Sequence, residues 1–454
     1  MNYIYRNEGN DTGIYKRVIE RKLLIMNKKV VSVLMAGALC STMLVGCGGK
    51  KAATNNSGNA GNKAATTKKT ELKYDGEIKV WVADNAVDFT KSEIQKFQDK
   101  NSGLKNAKFT VEPVGEGDAA SNMITDVEAG ADVFTFAQDQ TARLVSAGAL
   151  EEVEANNAAQ LKKDNDEGAV KAGTVGKKMY AYPITADNTY FLYYDKSVVT
   201  DPSDLDKILS DCKAANKKFY MAVDNGWYQT AFFFGAGCKL TYDTDDKGNF
   251  TKCNIDYASD KGVAALKAMA TMAGSGAWAN GSDASKATDV AAIVDGTWDS
   301  ATVKQLFGDN YACAKLPQFT GGDGKKYQMS GFSGYKLLGV KPQEDADKLA
   351  VCDALAGYLS SGDVQLDRFK ALGWGPSNLE ARKDDAVTKD AAMMAVFAQM
   401  KLDQTQGQYP GDYWSTAEGL GGDIVQGNIT ASTSDDDLMK TLQTFQDTCK
   451  SYAK

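Results

Sequence analysis

The chain has 454 residues, of which 43% are hydrophobic and 24% are charged, a composition typical of a globular protein with two or three domain-sized cores. The formal net charge of −7 provides no basic surface for nucleic acid, so we expect no nucleic-acid partner. Histidine is absent, which excludes Ser-His-Asp and Cys-His nucleophile systems, His-ligated zinc and His acid/base catalysis. Catalysis by a carboxylate pair stays open, because glycosidases need only Asp and Glu.

A secretion signal is predicted near the N-terminus. Met26–Lys29 is a short basic stretch, and Val30–Val45 is an apolar run of sixteen residues, shorter than the roughly 20 that a bilayer span needs. The next motif, Leu44–Cys47, resembles a bacterial lipobox, whose cysteine is diacylated before cleavage leaves it as the first residue. We therefore predict that Cys47 is lipidated and that residues 1–47 are an upstream extension plus a lipoprotein signal peptide. The alternative is a plain transmembrane anchor or a coincidental cysteine.

A disordered tether is predicted over residues 48–73. From Gly48 to Thr70 the chain contains no aromatic and no large aliphatic residue, so it buries too little apolar surface to fold. Such a segment would hold a folded body off a membrane. The expected location is therefore extracytoplasmic, lipid-anchored to the cell membrane, as on a Gram-positive cell surface.

Six cysteines follow the signal segment: Cys212, Cys238, Cys253, Cys313, Cys352 and Cys449. An extracytoplasmic setting permits disulfides, and Cys238 and Cys253 flank a predicted β-hairpin, so a bridge across it is one interpretation. The other is that the cysteines are buried small hydrophobes. None has metal-ligand spacing, and we predict neither a metal nor a cofactor.

The folded body begins with alternating strands and helices. The patterns predict strands at 76–84, 108–114 and 131–137 and helices at 90–101 and 119–130. Thr90 and Glu93 form a capping-box pattern, which favours a helix start at Thr90. This βαβαβ order indicates an α/β sheet, in which ligands gather at the carboxyl ends of the strands.

The rest of the chain disperses its sheet-forming segments among helices. Strands are predicted at 217–223, 289–295 and 335–341, and helices at 256–276, 345–360, 363–371, 390–402 and 435–453. No second low-complexity tract divides the body, which favours two lobes joined by several crossings over two sequential domains.

Four stretches in this order resemble one family: 130–153, 177–199, 290–300 and 413–420. They are similar to the extracellular solute-binding proteins of sugar ABC importers, in the maltose/maltodextrin-binding branch, and the resemblance covers 76–453. The most specific is KKMYAYPITADNTYFLYYDKSVV, which resembles the first hinge crossing of that family. The others resemble a cleft wall, a strand followed by Gly and Trp, and an aromatic wall.

The resemblance implies a two-lobed α/β periplasmic-binding-protein-like fold, a flytrap with a hinge between the lobes. We expect the N-terminal lobe to comprise 74–186 and 335–382, and the C-terminal lobe 187–334 and 383–454. The implied function is capture of maltose or maltooligosaccharides by lobe closure and their delivery to ABC permease subunits, by a monomer without enzymatic activity.

The implied ligand site combines flat aromatic groups with polar groups, because a sugar ring has an apolar C–H face and a rim of hydroxyls. Carried over from the family, the aromatic candidates are Phe136, Trp227, Trp298, Trp374 and Trp414. The polar candidates are Asp84, Glu116, Asp118, Asp139, Gln140 and Asp187. For each aromatic the alternative is core packing, and for each polar residue it is a cap, an ion pair or a solvated loop.

Other functions stay open at this point. A different oligosaccharide is the nearest alternative ligand. A starch-adhesion lipoprotein would bind polymer without closing its lobes, and a secreted glycosidase would need two carboxyl groups roughly 5–9.5 Å apart at the scissile bond.

Overall fold

The computed structural model describes residues 71–454. The predicted signal peptide, Cys47 and most of the predicted tether lie outside these residues. Among the described residues, no helix combines the length and apolar character that crossing a bilayer requires.

Two five-stranded sheets form the frame of the described chain. The strands are β1 Glu77–Val82, β2 Lys108–Pro113, β3 Val133–Ala137, β4 Thr174–Val175, β5 Lys178–Met179, β6 Ala181–Thr185, β7 Phe191–Asp195, β8 Lys218–Tyr220, β9 Leu240–Thr244, β10 Phe250–Ile255, β11 Trp278–Ala279, β12 Val290–Asp295, β13 Tyr311–Ala314, β14 Gln318–Thr320, β15 Lys326–Gln328, β16 Phe332–Ser333, β17 Lys336–Val340 and β18 Gln404–Thr405.

Helices cover the sheets and make up most of the C-terminal third. They are α1 Val87–Asp99, α2 Ala119–Thr125, α3 Thr141–Ser146, α4 Ala155–Asp164, α5 Glu167–Ala172, α6 Leu205–Ala214, α7 Thr230–Gly235, α8 Asp260–Gly274, α9 Ser300–Phe307, α10 Ala346–Leu359, α11 Gly362–Leu372, α12 Asp385–Thr388, α13 Ala391–Met400, α14 Gly411–Val425 and α15 Asp435–Ser451.

The first sheet has the order β2-β1-β3-β17-β6, and the second has the order β11-β8-β12-β7-β13. In the first sheet β1 runs parallel to β2 and β3, while β17 is antiparallel to both β3 and β6. The second sheet repeats this plan, because β12 is parallel to β8 and antiparallel to β7. The α/β fold class predicted from the alternation is therefore confirmed.

The chain crosses between the sheets more than once. It passes from β6 to β7 through residues 186–190 and returns to β17 after β16. After α11 it leaves the first sheet again towards α13, which packs against β13 and β7. The lobes are therefore built from discontinuous pieces of chain.

Helix α1 does not begin where the capping box predicts. It starts at Val87, after a 3-10 turn, and Thr90 is buried within the helix. The Glu93 carboxylate pairs with Lys96 and accepts a hydrogen bond from the Tyr358 hydroxyl at 2.8 Å. The Thr-x-x-Glu pattern thus serves tertiary packing, which local spacing does not reveal.

Of the two interpretations of the cysteines, the structure has the one without a bridge: the thiols of Cys238 and Cys253 are free, as are those of the other cysteines of the described chain. The predicted hairpin exists as β9 and β10, but Cys253 pairs with Tyr242 in it. Cys238 lies before β9 begins at Leu240, so it is not the residue opposite Cys253 in the hairpin.

We expect a reducing agent to leave the unfolding temperature of the body unchanged. If a bridge closed this loop of about 15 residues, its loss would cost about 3 kcal/mol. Thermal unfolding of residues 71–454 with and without dithiothreitol measures this, and a Cys253→Ser variant is the control. A reductant-dependent fall in the wild type that is absent in Cys253→Ser would contradict the free-thiol arrangement.

Candidate functional site

Three 3-10 turns lie where central strands end. Asp84–Ala86 follows β1, Gln138–Gln140 follows β3, and Thr297–Asp299 follows β12 in the other sheet. The Asn85 side-chain amide donates to the Trp298 carbonyl oxygen at 3.4 Å, so turns from the two sheets meet. Ligands of open α/β sheets bind at such carboxyl ends, which makes this junction the candidate site.

Two of the predicted tryptophans contact each other there. The ring centroids of Trp227 and Trp298 are 5.8 Å apart at an interplanar angle of 44°, and both side chains are half-buried. Tyr190 packs edge-on against Trp227 at 4.7 Å, and the Trp227 indole N–H donates to Gln406 Oε1 at 3.2 Å. These partners fix the angle of the Trp227 ring and leave part of its surface uncovered.

Gly296 gives the Trp298 ring the space it occupies. A Cβ atom at position 296 would lie 2.0 Å from Trp298 Cη2, closer than any real contact. The backbone there is extended, with φ −97° and ψ −178°, so the close approach rather than the backbone angle requires glycine. This explains physically the Gly-Thr-Trp sequence after β12.

Trp414 lies on α14, beside the loop that carries Trp227. It is half-buried against Tyr413 at 4.8 Å and Tyr409 at 5.6 Å. A Cβ built on Gly226 would be 3.4 Å from the Trp414 ring, so the indole packs closely on the residue before Trp227. Three predicted aromatic candidates therefore lie on neighbouring parts of one region.

Lys336, the first residue of β17, was missed by the sequence analysis. Its Nζ lies 3.9 Å from the Trp374 ring centroid, 4.9 Å from the Trp298 ring centroid and 3.9 Å from Glu116 Oε2. The residue is only 5% exposed. The available signal was a lysine directly before the apolar run of a buried strand, because lysine is rarely buried without a partner.

Trp374 is not an open platform for a ligand. It is 2% exposed within the core of the first lobe, and the Lys336 ammonium lies over its ring. In this structure the ring contacts a cation, and its stacking on a sugar stays a prediction.

Phe136, a further aromatic candidate, is a core residue in this structure, and its contact with a ligand stays a prediction. It is fully buried in a hydrophobic cluster with Leu144 and Leu150, and its ring lies 5.6 Å from that of Phe134. Phe134 and Phe136 are two residues apart, so they point to the same face of β3, and both lie in this one cluster. Because β3 is a central strand covered on both faces, the apolar pattern alone does not distinguish a face that opens to the cleft.

The side-chain amide of Gln140 forms its hydrogen bonds within the protein. Its Nε2 donates to the carbonyl oxygens of Glu116 and Gly117, each at 2.8 Å, and its Oε1 accepts from the Ala120 amide at 3.0 Å. The side chain positions the loop that carries Glu116, and direct binding of sugar hydroxyls by Gln140 stays a prediction.

Asp187 joins three segments at the first crossing. Its Oδ2 accepts hydrogen bonds from the Thr297 hydroxyl and the Gly375 amide, both at 2.5 Å. Its Oδ1 is buried and has no partner among the described residues. The residue is 1% exposed, so it positions neighbouring segments and keeps one free acceptor.

The remaining polar candidates lie nearer to solvent. Asp84 and Asp118 are exposed, and Asp118 precedes α2 without a side-chain cap bond. Glu116 is largely buried, and its Oε1 has no partner among the described residues. Within the described chain no cluster of Cys, Asp and Glu could hold a metal ion.

Asp139, after β3, is an unusual carboxyl group because it is only 3% exposed. Burial raises its pKa to about 7, and the nearby Arg143 guanidinium partly opposes this. The protonated form is thus favoured by folding. The contribution of the protonated Asp139 carboxyl to folding stability is complete below the unfolded-state pKa of about 3.9. This contribution is lost as the pH rises through the folded-state pKa of about 7.

We therefore expect Asp139→Asn to remove part of the pH dependence of stability. The stability of the variant relative to wild type should increase by about 3 kcal/mol between pH 5 and pH 8. Chemical denaturation at the two pH values measures this. Asp118→Asn is the matched control, because that side chain is exposed, and an equal response of both variants would contradict the assignment.

Comparisons with known proteins agree with this geometry. A family model described as bacterial extracellular solute-binding protein matches residues 92–395, which is 304 of the 454 residues. A search of curated proteins gave no match.

Solved structures similar to this chain include several sugar-binding proteins. The maltodextrin-binding protein MalE1 from L. casei BL23, without ligand, is 25% identical with a TM-score of 0.67, covering 83% of this chain and 100% of that one. The maltose-maltodextrin-binding protein of Alicyclobacillus acidocaldarius is 19% identical, with a TM-score of 0.65 and coverage of 81% and 100%. The maltotriose-binding protein of Thermus thermophilus, bound with maltotriose, is 18% identical, with a TM-score of 0.67 and coverage of 82% and 99%.

The match over two thirds of the chain and the shared fold confirm the predicted two-lobed architecture and its family. The protein belongs to the bacterial extracellular solute-binding proteins.

Proposed function

We propose that this protein captures maltose or a maltooligosaccharide between its lobes and delivers it to the permease of an ABC importer. The observation that carries this proposal is the contact of Trp227 and Trp298 at the junction of the two sheets, with buried acceptor oxygens close by. A pyranose ring needs both features, because its C–H face packs on aromatic rings while its hydroxyls need polar partners.

The identity of the sugar is supported by similarity and by the composition of the site. The protein from L. casei BL23, which is 25% identical to this chain, is named as a maltodextrin-binding protein. Trp414 beside Gly226 extends the aromatic surface beyond a single ring pair, which suits a ligand of more than one sugar unit.

Closure of the lobes is the proposed mechanism of capture. The lobes, 74–186 with 335–382 and 187–334 with 383–454, would rotate about the crossing segments. Both lobes contribute to the junction: Asn85 belongs to the first and Trp298 to the second. Ligand contacts made by both lobes stabilise the closed state over the open one, which is how binding shifts the equilibrium.

A further contact between the lobes lies at the β9–β10 hairpin. A Cβ on Gly248, in the hairpin turn, would be 2.2 Å from the Ala142 carbonyl oxygen on α3. Ser146 on the same helix donates its hydroxyl to Asn249 Oδ1 at 3.2 Å. The hairpin therefore forms a second closing surface away from the tryptophans.

Removing one platform should weaken sugar binding. We expect Trp298→Ala or Trp414→Ala to reduce the affinity for maltotriose by about 1–3 kcal/mol, because each half-buried indole offers apolar contact area to the sugar. Isothermal titration calorimetry of each variant with maltotriose measures the change.

The matched control is Trp278→Ala. Trp278 lies on the edge strand β11 and donates its indole N–H to the Met221 carbonyl at 3.0 Å, away from the junction. Unchanged affinity in both site variants would contradict the site, and affinity for a different sugar alone would replace the ligand. Maltotriose that is cleaved during incubation would indicate a glycosidase, and a scattering profile unaltered by maltotriose would indicate adhesion without closure.

We also propose that the protein acts as a lipid-anchored monomer outside the cytoplasm. The support for the anchor is the lipobox-like motif ending at Cys47 and the polar tract that follows it. An extracytoplasmic position agrees with the extracellular solute-binding family.

Cys47→Ser should abolish anchoring. We expect the full chain to fractionate with membranes in a bacterial host that processes lipoproteins, and the variant to be released. Immunoblots of detergent-phase and aqueous fractions measure this. Cys40→Ser is the matched control, since Cys40 lies in the apolar run. Equal partition of wild type and Cys47→Ser would contradict lipidation of Cys47.

A further inference from the structure

We infer that Lys336 and Glu116 together bind two adjacent hydroxyl groups of one sugar ring, with Lys336 donating and Glu116 accepting. This rests on the proposed function and specifies how the same site recognises its ligand. The pair would act as a specificity determinant for a neutral ring with a free vicinal diol.

The first support is that the Lys336 ammonium has unused donors. Within residues 71–454 its single ion-pair partner is Glu116 Oε2, at 3.9 Å, and it donates no hydrogen bond to another described residue. A distance of 3.9 Å is beyond the 2.7–3.2 Å range of a good N–H···O bond. An ammonium in a site with 7% side-chain exposure needs acceptors, because burying an unpaired charge is costly.

The second support is an unpaired acceptor oxygen on Glu116, next to the donors of Lys336. Its Oε1 is buried and accepts no hydrogen bond from the described residues. A buried side-chain oxygen without a donor is an exception that calls for an explanation. The Lys336 ammonium and the Glu116 carboxylate thus lie side by side, and each can form a further hydrogen bond.

The other nearby cation does not share this role. The Arg368 guanidinium is buried, and its nitrogens donate to the carbonyl oxygens of Leu359 at 2.7 Å and Ile184 at 3.4 Å. Those bonds hold Arg368 within the first lobe. Lys336 is the cation whose ammonium lies between the Trp374 and Trp298 rings, one from each lobe.

A vicinal diol suits this pair chemically. One hydroxyl donates a hydrogen bond to Glu116 Oε1 while its neighbour accepts a hydrogen bond from Lys336 Nζ, and both are charge-assisted hydrogen bonds. Trp298 beside the ammonium offers an aromatic surface to the C–H face of the same ring. An acidic sugar fits less well, because its carboxylate would be repelled by Glu116.

The experiment combines protein variants with deoxy sugars. Wild type, Lys336→Met, Lys336→Arg and Glu116→Gln are titrated with maltose, maltotriose and methyl maltosides that each lack one hydroxyl. In wild type, removal of either hydroxyl of one adjacent pair should weaken binding roughly ten- to hundredfold, as for hydrogen bonds to charged groups. Lys336→Met should weaken maltose binding by a similar factor. The affinity of this variant should no longer change when one of these two hydroxyls is removed from the sugar.

Glu116→Gln supplies the second arm. It should become less sensitive to loss of the other hydroxyl of the pair, and Lys336→Arg should retain most of the wild-type discrimination. Thermal unfolding without sugar shows whether each variant is folded. If Lys336→Met does not fold, the titrations of Glu116→Gln decide the outcome. Lys336→Ala is not used, because it would also remove the alkyl chain.

The outcomes separate the two proposals. A uniform loss of affinity for all analogues, with the hydroxyl preferences retained, would overturn the inference and leave Lys336 as a structural support for the indoles. Tighter binding of a disaccharide containing glucuronic acid than of maltose would also overturn it. A wild-type protein that binds neither maltose nor maltotriose would overturn the proposed function and the inference together.

Discussion

The positions of the site residues depend on a few buried hydrogen bonds at the segments that cross between the lobes. Asp187, in the first crossing, accepts from Thr297 and Gly375, which are the sequence neighbours of Trp298 and Trp374. One carboxylate oxygen therefore positions the backbone next to both indoles. Because buried polar groups that lose a partner cost more than the bond itself contributes, the arrangement is strongly specified. The first crossing thus supports the two segments that carry Trp298 and Trp374.

The frame of the fold was predictable because it is written in local patterns. Strands β1 and β3 carry alternating or continuous apolar residues, and the structure has them within two residues of the predicted bounds at either end. The capping box at Thr90 failed because the helix is extended backwards by Val87 and a preceding 3-10 turn, and because Glu93 is needed by Tyr358. Contacts far apart in sequence decided that helix end.

Within the candidate site, the placement of a residue was predictable where the residues next to it in sequence explain its position. Trp298 follows a glycine that its ring requires, so the spacing of the two is visible in the sequence. Phe136 offered no comparable signal, since alternation on a strand buried on both faces looks the same for core and cleft. The contacts of Lys336 and Gln140 were not predictable from local sequence for one reason: they are made with Glu116 or its loop, more than twenty residues away. Contacts between distant segments, rather than the residue type, determine what these two side chains do.

The polar groups at the junction that lack hydrogen-bond partners indicate which kind of solute could bind there. Glu116 Oε1 and Asp187 Oδ1 are buried oxygens without donors, while Lys336 is a cation with spare donors. A carboxylated solute would supply acceptors only, and an amine would supply donors only. A hydroxyl both donates and accepts, so a polyhydroxylated neutral ligand can satisfy the oxygens and the ammonium at once. Under the proposed mechanism, such a ligand would stabilise the closed state by satisfying these groups, so capture would follow from the hydrogen bonds that the ligand completes.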